Sequence, residues 1–179
     1  GNVKVSGEYM TGASACGDST VHVKGDVTAT GENSVGIDGE TGTIKVGGDV
    51  SGIEAVVARG EADVTVGGSV SGTLSGIVAV GNASVSVKGD AETKVGPGVF
   101  AQENATVTVD GNVTGGTFYE APEGYEYVYP AIIAGAGTTV IVKGTVSTAE
   151  RNFFAVGINC WDAGSQKGTL ILELSLIHI

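Results

Sequence analysis

Histidine occurs only at His22 and His178, and arginine only at Arg59 and Arg151, in a chain of 179 residues. Two imidazoles are too few for a His-rich zinc site, and they argue against a Ser/His/Asp triad. Proline is as sparse, with 3 residues, and the 31 glycines follow no triplet. That pattern excludes collagen and does not suit a Pro-rich linker. No uncharged apolar run approaches the roughly 18 to 20 residues a membrane span needs. A charged segment followed by an apolar one is also missing after Gly1, so any export signal is expected upstream or not at all. Positive charge is the last shortage: 9 Lys+Arg stand against 20 Asp+Glu, a net charge of −11. Nucleic acid and anionic membrane surfaces are therefore poor partners. Charged residues make up only 16% while apolar ones reach 41%. A chain of that composition packs rather than staying disordered.

What the chain does have is a repeat. NVKVSGE from Asn2, TVHVKGDV from Thr20, TIKVGGDV from Thr43, DVTVGGSV from Asp63, SVSVKGDA from Ser84, TVTVDGNV from Thr106 and TVIVKGTV from Thr139 align, and TLILE opens an eighth copy at Thr169. The first apolar positions are Val3, Val21, Ile44, Val64, Val85, Val107, Val140 and Leu170, spaced 18, 23, 20, 21, 22, 33 and 30 residues apart. The basic unit is thus about 21 residues, and the last two units carry insertions. Alternating valines followed by glycine read as a short strand with one buried face and a turn. A second apolar position follows at Val27, Val50, Val70, Ala91, Val113 and Val146. A third patch pairs Val56 with Ala58, Ile77 with Ala79, Val99 with Ala101, Ile132 with Ala134 and Phe153 with Ala155. Three short strands cannot close a core alone, whereas stacked coils bury a continuous apolar column. The expected fold is all-β: a parallel β-helix, or β-solenoid, right-handed by the general preference of parallel connections, with about 7 coils of three strands each. One solenoid over residues 1–173 is expected, with loop insertions at about 117–130 and 149–167.

The corner glycines, Gly7, Gly25, Gly48, Gly68, Gly89, Gly111 and Gly144, suggest positive φ or close backbone approach. After them run Asp26, Asp49, Ser69, Asp90, Asn112 and Thr145, about 4.8 Å apart in stacked coils and so near enough to ladder by hydrogen bonds or to share a cation, although the favoured reading is turn residues satisfying local backbone groups. The insertion TFYEAPEGYEYVYP, Thr117 to Pro130, differs from everything around it. It brings Tyr119, Tyr125, Tyr127 and Tyr129 together with Glu120, Glu123 and Glu126. Flat aromatic faces beside acceptor carboxylates suit sugar rings, and basic partners suit the carboxylates as well. The plain alternative is a loop that covers a sheet, its tyrosines forming an extra strand. The segment AERNFFAVGINCWDAG from Ala149 carries the only tryptophan, Trp161, which would join the tyrosines in one shallow patch if the two insertions lie side by side. No metal, cofactor or catalytic set is expected. Polysaccharide lyases and glycoside hydrolases on β-helices need clustered acids and bases. Arg59 and Arg151 instead fall in coils about 19 Å apart. An ice-binding surface would want regular threonine ladders in place of the mixed outward column. Cys16 and Cys160 fall about six rungs, or roughly 29 Å, apart, beyond the limit of about 7 Å for a disulfide. Both are expected free.

Two resemblances complete the reading. The tail LSLIHI, residues 174–179, breaks the repeat and is similar to a translated transposase mosaic-end sequencing adapter, so it is expected to be non-native and the gene to continue. Repeats such as TVHVKGDVTATGENSVGIDGETG resemble the Gly/Val/Thr-rich coils of bacterial surface adhesin-like proteins, including those of gut bacteria, well over residues 2–116 and more loosely over 131–173. The resemblance implies an extracellular or cell-surface, non-enzymatic solenoid that serves as stalk or display scaffold. It would bind a glycan or a host or cell-surface protein through its protruding loops, with further coils of the full-length chain beside it. The alternative is a carbohydrate-active β-helix enzyme.

Overall fold

The structure, a computed structural model, describes residues 1–116, 119–120, 126–127, 129–148, 156–158 and 169–172. Every element among them is a β-strand, and all strand pairs but one are parallel. Three walls repeat along the axis. The first is a seven-stranded sheet built from Thr20–Val23, Thr43–Val46, Asp63–Val66, Ser84–Val87, Thr106–Val109, Thr139–Val142 and Thr169–Leu172. Its register sets Val21, Ile44, Val64, Val85, Val107, Val140 and Leu170 over one another, as the repeat requires. The second wall stacks Val27, Val50, Val70, Ala91, Val113 and Val146. The third stacks Ile37, Val56, Ile77, Val99 and Ile132. Five turns run through all three walls without interruption, fewer than the 7 expected, and the strands from Val113 onward add two turns described in part.

Three details depart from the expected alignment. Val3 pairs with Val27 rather than stacking over Val21, so Val3–Ser6 opens the second wall and Gly7 is not a corner glycine of the column. Val3-Lys4-Val5 carries the Val-x-Val of the first-wall strands, and its pairing with Val27, with Asn2 before it as Asp26 stands before Val27, sets it in the second wall. In the third wall Ile132 and Ala134 pair with Val156 and Ile158, which replace Phe153 and Ala155 as the last pair. Finally, the second and third strands fuse in two turns, giving Val50–Ala58 and Val70–Gly81 in place of separate strands. A register irregularity between Gly52 and Glu54 lets the chain turn the corner without leaving the sheet.

The dry spine is made of small aliphatic side chains. Ile44, Val50, Val56, Val64, Val70, Ile77, Val85, Val99 and Val107 are all buried. Each such side chain contributes about 1.5–3 kcal/mol when taken out of water. Between the first and second walls the polar column forms a ladder, which is interturn rather than local. Asp26 Oδ1 accepts from the Asp49 N–H at 3.0 Å, Asp49 Oδ1 from Ser69 N–H at 2.7 Å, and Ser69 Oγ from Asp90 N–H at 3.1 Å. Asp90 Oδ1 then accepts from Asn112 N–H at 2.7 Å, and Asn112 Oδ1 from Thr145 N–H at 2.9 Å. Asn2 begins the series by accepting from Asp26 N–H at 3.1 Å. The ladder also explains the glycines. A Cβ at Gly48 would collide with Asp26 Oδ1, and one at Gly68 with Asp49 Oδ1, so close approach and not positive φ selects glycine there.

Two stability predictions follow from the spine and the ladder. Ile77→Ala leaves a void in the third-wall column and is expected to cost about 2–5 kcal/mol in denaturant unfolding. Asp49→Ala deprives the Ser69 N–H of its acceptor and is expected to cost about 0.5–1.5 kcal/mol, whereas Asp49→Asn keeps an acceptor oxygen and stays close to the parent. Equal loss for Ala and Asn would contradict the ladder.

Candidate functional site

The insertion leaves the solenoid after Gly116, whose N–H still donates to Gly96 O at 3.0 Å, and re-enters at Ala131. Within it, Tyr119–Glu120 pairs antiparallel with Glu126–Tyr127 in a separate two-stranded sheet. The register sets Tyr119 opposite Tyr127 and Glu120 opposite Glu126. Alternating tyrosines thus do make strands, but they pair with each other and not with a wall. Tyr125 and Glu123 lie outside the described residues, as do Trp161, Cys160, Phe153 and the tail 174–179. Of the expected aromatic set, Tyr129 is the one whose side-chain environment is described: it is half-buried and lines an apolar groove with Leu74, Pro97, Phe100 and Ile133.

That groove was not legible from the repeat, because its residues face outward. Phe100 stands between the inward Val99 and Ala101, and Ile133 between Ile132 and Ala134; the two are partners on adjacent rungs. Leu74 sits at a corner otherwise built of glycine, serine and threonine and is 48% exposed. An apolar residue at the outward position of successive repeats was the signal available. Cys16, directly after the buried Ala15 of the third wall, is an exposed free thiol.

Among the described residues, three ion pairs join successive turns. Arg59 bridges to Asp38 of the preceding turn. On the first wall Asp110 is flanked from both sides, by Lys88 Nζ at 2.8 Å on Oδ2 and by Lys143 Nζ at 2.8 Å on Oδ1. The hydrogen bond from Lys143, then that from Lys88, outweighs partial desolvation and holds the Asp110 carboxyl below its ordinary 3.8. The stacked aspartates Asp26, Asp49 and Asp90 spend an oxygen on the next turn's backbone. Among the described residues no group of three or more His, Cys, Asp or Glu is disposed to hold a metal ion.

Because the folded-state value of Asp110 lies below the unfolded one, its contribution is full above about pH 4 and is lost as the pH falls through the lowered value. Acid unfolding curves are therefore expected to flatten at their acidic end in Asp110→Asn; an unchanged slope below pH 4 would contradict the pairing. No family model, curated protein or solved structure matches this chain.

Proposed function

We propose that this chain is a non-enzymatic solenoid that works outside the cell or at its surface as a stalk or display scaffold, and that it binds a glycan or a protein on the side carrying the Tyr/Glu insertion. The observation that carries this reading is where regularity stops. Five turns keep the same inward columns and the same polar ladder, and the first segment to leave the repeat is the one rich in tyrosine and glutamate. Loops on a rigid scaffold are where binding residues concentrate. The stacked aspartates support binding over catalysis, since a carboxylate that accepts from a neighbouring turn is committed to holding the coil. Arg59 is likewise engaged with Asp38.

A glycan array together with a panel of surface proteins tests the reading. Saturable binding is expected, weakened about tenfold by the combined change Tyr125→Ala and Tyr127→Ala or by loss of the wider aromatic surface. Absence of any ligand would reduce the protein to a plain stalk. Release of product from a polysaccharide would overturn the proposal in favour of a carbohydrate-active enzyme.

A further inference from the structure

Two grooves adjoin on the outer surface where the second wall turns into the third. One, of about 340 Å³, is lined by Leu74, Val95, Pro97, Phe100, Tyr129 and Ile133. The other, of about 270 Å³, is lined by Thr30, Ser51, Ser71 and Thr73 with Ile53 and Lys94. They meet at two chain steps, Thr73 to Leu74 and Lys94 to Val95. Register builds both: Ser51 pairs with Ser71 one turn on, and Phe100 with Ile133. Among the described lining residues there is no carboxylate, although the chain carries 20.

We infer that the two grooves form one binding site for a neutral saccharide bearing an apolar substituent, of which an N-acetylated sugar is the simplest. The inference rests on the reading of the protein as a binding scaffold and moves the contact from the Tyr/Glu hairpin to the solenoid corner. The apolar groove and the two grooves taken as one fall in the range of about 300–1,000 Å³ usual for ligand sites, while the polar groove by itself is slightly smaller. Hydroxyls on successive rungs, about 4.8 Å apart, both donate and accept, as the hydroxyls of a sugar do. The apolar groove accepts what an unsubstituted hexose does not offer, a methyl group to set against Phe100 and Tyr129 beside the C–H ring face that both kinds of sugar share. A plain hexose seated there would strip its hydroxyls of water without replacing the bonds. A cationic peptide would find no described counter-charge in the lining.

Calorimetry on the full chain with chitotriose and cellotriose, which differ in the acetamido group, tests the assignment. Chitotriose is expected to bind about tenfold more tightly, and Leu74→Asp and Phe100→Ala each to remove about tenfold of that affinity. Ser71→Ala, a smaller change on the polar side, is expected to weaken it about threefold. Thermal melting of each variant establishes that the coil is intact. Equal affinity for the two sugars would overturn the assignment. Chitotriose binding that survives Leu74→Asp and Phe100→Ala but is lost with Tyr125→Ala and Tyr127→Ala would overturn the groove while sparing the scaffold reading; no binding of any sugar or protein would remove both.

Discussion

Every other feature of this molecule depends on one constraint: equivalent residues of successive turns lie directly over one another. A single turn has three short strands and no interior, so its valines and isoleucines are dry only because the turns above and below cover them. Backbone hydrogen bonds run from turn to turn in all three walls, and the polar column adds side-chain acceptors to the same vertical direction. Glycine at the corner is a consequence. The space a Cβ would take is filled by the ladder side chain of the previous turn, so the Gly-Asp step in the repeats is one steric unit.

The same constraint sets how much was readable in advance. Inward columns recur at fixed positions because any polar residue there would be buried without a partner, and those of the first two walls emerge from the sequence almost intact. One error arose where a second-wall strand carries the first wall's pattern: Val3-Lys4-Val5 reads Val-x-Val, and its pairing with Val27 and the ladder contact of Asn2 set it in the second wall. Near the other end, Phe153 and Ala155 matched the size pattern, while pairing selects Val156 and Ile158. The direction of the ladder was hidden for a different reason: an aspartate at a turn has the same composition whether it accepts from its own turn or from the next one.

Outward residues are under no such rule, which is why the grooves were invisible to the repeat. Phe100 and Ile133 enter the surface through positions that elsewhere carry Asp38 or Val78, and they meet Leu74 and Pro97 from a different part of their turns. The scaffold fixes the spacing and leaves chemistry to the outward side chains. The hairpin that pairs Glu120 with Glu126 is a second place where the chain leaves the repeat, and its pairing is its own. A chain with net charge −11 thus places three of its described basic groups, Arg59, Lys88 and Lys143, in bridges between turns.

Disulfide trapping tests the stacking most directly. With Cys16 and Cys160 replaced by serine, Thr65→Cys and Ser86→Cys face outward as partners on adjacent rungs, with Cα atoms about 4.8 Å apart, within reach of a disulfide. Oxidation should link them within one chain, while Thr65→Cys with Lys88→Cys, two residues out of register and about 8 Å apart, should stay reduced. Preferential linkage of the second pair, or of neither, would mean that the turns do not lie over one another as described.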